Sequence, residues 1–419
     1  MKETKYLTWV RKEVNWDHVK KSKTGGGDGV GYVGKVISLY PYVPFIDVQY
    51  SMHISKKEEP TMKKLFLILS AIVLVCGLIF SIHVKQATAQ LIKLRYNTQQ
   101  PDIIWDSVHA AKPWFKEVEK ATGGKVKFEE YYSQTLSKGP DAWQAARSGV
   151  ADISWVFHGY TPGLTTLADV ITLPFMAFKN PAQSSAILWK LYEEFPKLAA
   201  QFKDNKILFA WASAPFFIIN NKREVKTLED LKGLKLRVAG GPPSEAAKAL
   251  GITPILMGMP DSYLSLQKGV IDGMAATWDI LGGYKQYEVA KYYTYVPFYT
   301  IYFSFVMNWN TWNRLPPDVQ KVFTDLGGLK GSIFYGTHFF EGYDQPTVDL
   351  ISKKMVQKIK QERYEMIEYI IPPNELEKWK EVAGKPLWKK WVADRTAEGH
   401  TDAQKILDRT LALIDTYNP

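Results

Sequence analysis

Asp141–Ile153 reads DAWQAARSGVADI, and Asp261–Gly273 reads DSYLSLQKGVIDG. Aligned without gaps, Asp141 matches Asp261 and Trp143 matches Tyr263. Gly149-Val150 then matches Gly269-Val270, and Asp152 matches Asp272. Each copy predicts a short helix stopped by a glycine able to take a left-handed cap, followed by a strand. One such match could be chance; two in corresponding places predict two α/β lobes built on one plan.

Working outward, Gln90–Asn97 (QLIKLRYN) alternates apolar and polar residues as a strand does. Trp105–Ala121 carries apolar residues at helical spacing, interrupted by Pro113 and ended at Gly123-Gly124, and Lys125–Tyr131 is a second strand. Strand, helix, strand opens an α/β lobe. Between the repeats, Thr227–Val238 (TLEDLKGLKLRV) predicts a helix with Thr227 and Asp230 as a capping box, a stop at Gly233, then a strand. Leu234, Leu236 and Val238 fall on one face of that strand and Lys235 and Arg237 on the other. Ala239-Gly240-Gly241-Pro242-Pro243 lets the chain turn sharply at its end. Ligands of open α/β sheets sit beyond the carboxyl ends of strands, which puts Arg237 one residue from such a place. A guanidinium there can grip a carboxylate through two parallel hydrogen bonds. An ordinary strand arginine or an internal salt bridge is the competing reading.

Asp344–Ile371 shows three-to-four spacing and is expected to be helical up to Pro372-Pro373. Glu375–Trp391 continues amphipathically around Trp379, Leu387, Trp388 and Trp391. The aromatic face of this helix is expected to pack on the same molecule rather than on a membrane.

Upstream, Met62-Lys63-Lys64, the apolar run Leu65–Ile82 and Ala87-Thr88-Ala89 have the three parts of a cleavable export signal, in order. Residues 62–89 are therefore expected to be a signal peptide starting at Met62, and the mature chain to begin near Gln90. Met1–Thr61 is expected to be a non-native upstream extension, since Lys56–Glu59 can be encoded by a ribosome-binding stretch just ahead of Met62. The apolar run reaches only the lower limit of a membrane span, roughly 17–25 residues. Cys76 is the only cysteine and falls inside the signal, so the mature chain offers no disulfide, thiolate ligand or thiol nucleophile.

The net charge of +10 owes much to the segment before Gln90. Beyond it acidic and basic residues are nearly balanced and interspersed, so nucleic acid is not an expected partner. Gly29-Val30-Gly31-Tyr32-Val33-Gly34 fits G-x-G-x-x-G but lacks a strand before and a helix after, and reads as chance. No H-E-x-x-H, G-x-S-x-G, Walker A or C-x-x-C occurs in the mature chain. Its histidines, His109, His158, His338 and His400, form no metal-spaced pair. No catalytic residue is singled out.

Several segments together carry a family resemblance. They are Gly233–Val238 (GLKLRV), Leu266–Gly273 (LQKGVIDG) and Leu173-Pro174-Phe175, with Asn220-Asn221-Lys222-Arg223, Ala290-Lys291-Tyr292-Tyr293 and Leu315–Gln320 (LPPDVQ). In this order the chain, from about Leu91 to its end, resembles the dicarboxylate-binding type of solute-binding proteins of tripartite ATP-independent periplasmic (TRAP) transporters. The resemblance implies an α/β, two-lobed periplasmic binding protein fold with hinge segments and a helical C-terminal region. Residues 90–214 with about 300–345 would form lobe 1. Residues 215–299 with about 346–419 would form lobe 2 and the C-terminal helices.

The function implied is a periplasmic, non-enzymatic receptor that closes over a small organic acid anion and passes it to a TRAP membrane permease, without cofactor. The family's carboxylate-pairing arginine matches Arg237. Trp278, in the segment after the second repeat, is a candidate ligand contact, and by the same logic Trp155 and Tyr160 line the cleft after the first. Many relatives place another arginine in a Gly-x-Arg context before the Asn-Asn-Lys-Arg segment; this chain reads Ala214-Pro215-Phe216. With Trp155, Tyr160, Phe216 and Trp278 as lining, that departure points to a monocarboxylate with an apolar or aromatic body. Relatives with a metal use a Glu beside the tryptophan; Thr277 and Asp279 flank Trp278 here, so no metal is expected. A periplasmic enzyme acting on a small organic acid and the ligand-binding domain of a sensor are the alternatives, and monomer and dimer both stay open.

Overall fold

The computed structural model describes residues 20–22, 29–35, 49–55, 91–339 and 356–419. The expected signal segment and most of the upstream extension lie outside the described residues. Two compact units are present, residues 1–90 and 91–419. In the first, β1 (Lys20–Ser22), β2 (Gly29–Lys35) and β3 (Gln49–Ser55) pair antiparallel in that order. The G-x-G-x-x-G stretch thus lies within β2, a strand paired on both sides, and not at a strand-to-helix turn.

The second unit holds two sheets. The first has the order β5-β4-β6-β13-β7, from β4 (Ile92–Asn97), β5 (Val126–Tyr131), β6 (Ile153–Phe157), β7 (Lys206–Ala212) and β13 (Tyr302–Met307). The second has the order β10-β9-β11-β8-β12-β14, from β8 (Phe217–Asn220), β9 (Lys235–Arg237), β10 (Thr253–Ile255), β11 (Gly273–Ala276), β12 (Tyr292–Tyr295) and β14 (Ile367–Ile370). The chain crosses between the sheets from β7 to β8, again from β12 to β13, and a third time from β13 to β14. The first two crossings pair with each other: Ser213 N donates to Ile301 O (2.8 Å), Phe216 N to Tyr299 O (2.8 Å), and Phe298 N to Phe216 O (3.0 Å). They form a two-stranded hinge.

The helices used below are α1 (Lys112–Ala121), α2 (Ala142–Ser148), α3 (Pro181–Glu194), α4 (Pro242–Ala249), α5 (Ser262–Gln267), α6 (Trp278–Tyr284), α7 (Gly328–Phe339), α8 (Pro373–Ala383), α9 (Lys385–Ala397) and α10 (Ala403–Thr416). Ahead of α1, Ser107–Ala111 is a π-helical turn. Pro113 has no N–H to continue an ordinary ladder, and the wider turn absorbs the break.

The sequence repeat is a structural repeat. α2 ends on Gly149 (φ 78°) and leads into β6, which lies parallel to β4. α5 ends before Gly269 (φ 71°) and leads into β11, which lies parallel to β9. Asp152 Oδ2 accepts the backbone N–H of Arg95 on β4 (2.9 Å), and Asp272 Oδ2 accepts that of Lys235 on β9 (2.9 Å). The basic side chains complete the match, because Arg95 Nη2 donates to Gly149 O (2.9 Å) and Lys235 Nζ to Gly269 O (3.1 Å). In each lobe one buried carboxylate therefore sets the register of the central parallel pair, and the register fixes which residues reach the strand ends. For Asp152, burial pushes the carboxyl pKa up, but the hydrogen bonds from Arg95 and Thr311 outweigh it and hold the pKa below its ordinary value.

The C-terminal region differs from the expectation at two points. Residues 356–361 are helical, but Ile367–Ile370 is a strand and pairs parallel with β12. The open edge of β12 captures an Ile-Glu-Tyr-Ile stretch whose residues suit a pleated edge. Secondly, the C-terminal helices do not all join the second lobe. α8 does, with Glu375 accepting the N–H of Leu228 (2.8 Å). The aromatic face of α9 turns onto the first lobe, where Trp388 Nε1 donates to Pro174 O (2.9 Å) and Trp391 Nε1 to Thr166 O (3.2 Å). α10 packs on α3: Gln183 Nε2 donates to Ile414 O (3.0 Å) and Tyr417 O (2.7 Å), and Arg409 pairs with Glu194. α9 and α10 therefore pack mainly on α3 and on the Thr166 and Pro174 loop segments of the first lobe. Among the described residues no helix is long and apolar enough to cross a membrane.

Asp152→Ala removes an acceptor from the Arg95 amide and from the buried Thr311 hydroxyl (2.7 Å). Unsatisfied buried donors cost about 1–3 kcal/mol each, so urea unfolding is expected to register a loss of about 2–4 kcal/mol. A loss under about 1 kcal/mol would show that this carboxylate does not set the register.

Candidate functional site

The ends of β4, β6, β9 and β10 converge between the two sheets. Gln99 and Gln100 follow β4, and Trp155 and Phe157 stand on β6 with Tyr160 just after it. Arg237 ends β9, and Met259 follows β10. Ile280 and Tyr284, four apart on α6, come from the other side, and Phe216 comes from the hinge. These residues line one narrow, tightly closed cleft between the lobes.

Four of the five residues expected at a ligand site, Arg237, Trp155, Tyr160 and Phe216, face this cavity together. Trp278 does not. It opens α6, and its ring packs on Phe217 (5.2 Å between centroids) and Tyr295 (5.9 Å) at the outer face of the second sheet. Helical phase is the reason: Ile280 and Tyr284 lie on the face of α6 that meets the first lobe, and position 278 does not share it. The sequence reading also passed over Gln99, Gln100 and Tyr284. Gln99-Gln100 follows a strand end just as the Arg237 turn does, so the rule applied to β9 would have found it on β4.

Arg237 is 1% exposed. Its Nε reaches Met257 O at 3.4 Å, and its Nη2 has no hydrogen-bond partner among the described residues. The guanidinium carbon lies 6.0 Å from the centre of the Phe157 ring. No carboxylate forms an ion pair with it among the described residues. A buried cation without a counter-charge is costly by several kcal/mol, and a ligand carboxylate would relieve that cost.

The lobes meet directly around the cavity. Met259 N donates to Tyr160 Oη (2.8 Å), and Tyr160 Oη donates in turn to Gln99 Oε1 (2.9 Å). Tyr284 Oη donates to Gln100 Oε1 (2.5 Å), and Gly240 N donates to Gly159 O (3.1 Å). A Cβ on Gly240 would stand 2.8 Å from that same carbonyl, so the close backbone approach needs glycine there.

Behind the cavity two carboxyls from opposite lobes are buried. Burial pushes Asp106 up to about 8, against a hydrogen bond from Tyr335 Oη (2.9 Å) that acts the other way; nearby Asp279 pushes it further up. Burial likewise pushes Asp279 up to about 6. His158 stands apart from this cavity and is fully engaged. Its Nε2 pairs with Ser304 Oγ (2.8 Å), its Nδ1 with Thr165 Oγ1 (3.0 Å), and its ring stacks on Tyr302. Burial takes it down to about 3, so it stays neutral. Among the described residues no group of three or more His, Cys, Asp or Glu is arranged for a metal ion.

Comparisons with known proteins agree with this geometry. Residues 106–333 match the bacterial extracellular solute-binding protein family 7. A TRAP solute-binding protein from Rhodoferax ferrireducens, solved with copurified benzoate, superposes with a TM-score of 0.70 at 28% identity, covering 77% of this chain and 98% of that one. A marine metagenome TRAP solute-binding protein described as specific for aromatic acid ligands, with 3-hydroxybenzoate, gives the same score and identity over 78% and 99%. In sequence, a solute-binding protein of Verminephrobacter eiseniae is 31% identical over 214 residues, 50% of this chain. The match spans 63% of that relative's length.

A carboxyl whose pKa is raised by folding makes the folded state bind the extra proton. Its stability contribution is whole below the ordinary value, 3.8, and is lost as pH rises through about 8. The thermal midpoint is therefore expected to fall across that window in the wild type and to fall less steeply in Asp106→Asn. Parallel curves for the two proteins would show that Asp106 is ionised in the fold.

Proposed function

The chain belongs to family 7 of the bacterial extracellular solute-binding proteins, of the TRAP type, and on that premise we propose that it is a periplasmic receptor for an aromatic monocarboxylate. The observation that carries the reading is the guanidinium of Arg237, buried, unpaired on Nη2 among the described residues and facing a cavity walled mostly by rings and aliphatic chains, with Gln99 and Gln100 as its amides. Among the described residues lining the cavity it is the only cation, which suits one carboxylate and not two. Phe216 fills the hinge position next to it and stacks on Tyr299 with 5.3 Å between centroids, so an apolar ring stands where a second cation would be needed for a dicarboxylate. Relatives that hold benzoate and 3-hydroxybenzoate support the same ligand class.

Mechanically, the carboxylate docks on Arg237 from the second lobe, and its ring is enclosed by Trp155, Phe157 and Phe216. The Tyr160–Met259, Tyr284–Gln100 and Gly240–Gly159 contacts then hold the lobes together. Closure removes water from the ion pair and strengthens it. The loaded receptor delivers its ligand to a TRAP membrane permease. Export through the signal at residues 62–89 would place it in the periplasm. The protein binds and releases its ligand without chemical change, and incubation with candidate acids is expected to return them intact.

Thermal unfolding against a panel of acids tests the reading. A ligand at a hundred times its dissociation constant adds about 2.7 kcal/mol to the folded state, so aromatic monocarboxylates are expected to raise the midpoint by several degrees. C4-dicarboxylates are expected to leave it in place; a shift with these alone would contradict the single-carboxylate reading. Leaving one member of a buried charge pair alone costs about 3–5 kcal/mol, so Arg237→Ala should weaken binding at least about 100-fold in calorimetry. Unchanged affinity in that variant would sink the role given to Arg237.

A further inference from the structure

Resting on that reading, we infer that the phenol hydroxyl of Tyr160 is the latch of the closed cleft, and that it governs release of the ligand rather than its capture. The hydroxyl bridges the lobes. It accepts the N–H of Met259 from the second lobe (2.8 Å) and donates to Gln99 Oε1 in the first (2.9 Å). Both bonds are buried, and all three residues line the cleft.

The two jaws of this latch come from the sequence repeat. In the gapless alignment that pairs Asp141 with Asp261, Gly139-Pro140 pairs with Met259-Pro260. Each copy folds as a 3-10 turn in the same place, Gly139–Asp141 ahead of α2 and Met259–Asp261 ahead of α5. Asp141 N donates to Lys138 O (3.0 Å) and Asp261 N to Gly258 O (3.2 Å), so the two turns close alike. Their first residues differ, and the difference makes the latch. Met259 presents its N–H to Tyr160, while its carbonyl accepts from Ser262 Oγ (2.6 Å). Ser262 Oγ in turn accepts from Gln286 Nε2 (2.9 Å), which ties this jaw to its own lobe. Gly139, the counterpart, has no side chain, and Gln99 lies in the room this leaves. A Cβ on Gly139 would stand 2.0 Å from Gln99 Oε1 and 3.1 Å from the Tyr160 ring. The oxygen it would strike is the one that receives the Tyr160 hydroxyl.

This geometry separates release from capture. Parting the lobes draws the Met259 N–H away from Tyr160, so the bridge belongs to the closed form. A ligand carboxylate meeting an open cleft docks on Arg237 and gains nothing from the bridge. Leaving the closed state breaks it. A closed cleft without the bridge keeps the Met259 N–H or the Gln99 oxygen out of water and unpaired, which is costly. Weakening the bridge therefore acts on the dissociation rate, where most affinity differences between related complexes arise.

Stopped-flow binding of benzoate to the full chain tests this, in wild type, Tyr160→Phe and Gly139→Ala. Tyr160→Phe removes the hydroxyl and keeps the ring. Gly139→Ala, at a residue outside the cleft lining, strikes the Gln99 end of the same bridge. In both variants the dissociation rate is expected to rise at least about 10-fold. In Gly139→Ala the association rate is expected to stay within about 3-fold of wild type. An unchanged dissociation rate in either variant overturns the inference. So does an association rate in Gly139→Ala that falls as much as dissociation rises. Should Tyr160→Phe fail to fold, as judged by its unfolding transition, Gly139→Ala decides. Absence of benzoate binding by the wild type overturns the aromatic-acid reading, and hydrogen exchange of the Met259 amide in the ligand-free proteins then decides the latch. Exchange at least about 10-fold faster in the variants supports it, and equal exchange overturns it.

Discussion

A guanidinium held out of water, with no carboxylate of the described residues paired to it, is the constraint around which this molecule is arranged. Arg237 reaches its place because Asp272 fixes the register of β9 against β11, and because Gly240-Gly241 lets the chain turn away directly after the strand. Surrounding it with rings makes the charge costlier, and in the proposed function a ligand carboxylate would recover that cost on docking. The largely apolar wall would then decide which carboxylates are accepted, since every further polar group on the ligand must find a partner there.

Duplication supplies the mechanical frame. Asp152 with Arg95, and Asp272 with Lys235, repeat one register device in two sheets, and each brings its strand ends to the same cleft. Two of the chain's crossings between the sheets, β7 to β8 and β12 to β13, pair with each other as a hinge, and Phe216 sits on that hinge and lines the same cavity as the arginine. The C-terminal helices add a strap: α8 is fastened to the second lobe, α9 and α10 to the first. Opening the cleft must therefore work against contacts at the α8–α9 junction as well as at the hinge.

Much of this was legible in the sequence, for reasons that explain the failures too. Glycine stops and matched Asp residues are local signals, so the repeat and its helix-to-strand units could be read directly. Arg237 could be placed by counting from a capping box, and Trp155 and Tyr160 by transferring the strand-end rule to the first repeat. Trp278 failed because the facing side of α6 is decided by how that helix meets the first lobe, a tertiary fact without local trace. Ile367–Ile370 failed similarly: a short apolar run fits helix or strand, and the free edge of β12 chose. Asp106 gave no signal at all, since a carboxylate in a helical stretch looks solvated until Tyr335 and Trp155 are folded over it.

The central claim is that Arg237 exists to hold a single carboxylate. The most direct measurement is a crystal structure of the protein with benzoate. The account requires the benzoate carboxylate within hydrogen-bonding distance of Arg237 Nη2, with its ring against Phe157 and Phe216 and the Gly240–Gly159 contact formed. Benzoate bound elsewhere, with Arg237 paired instead to a carboxylate of the protein, would contradict it.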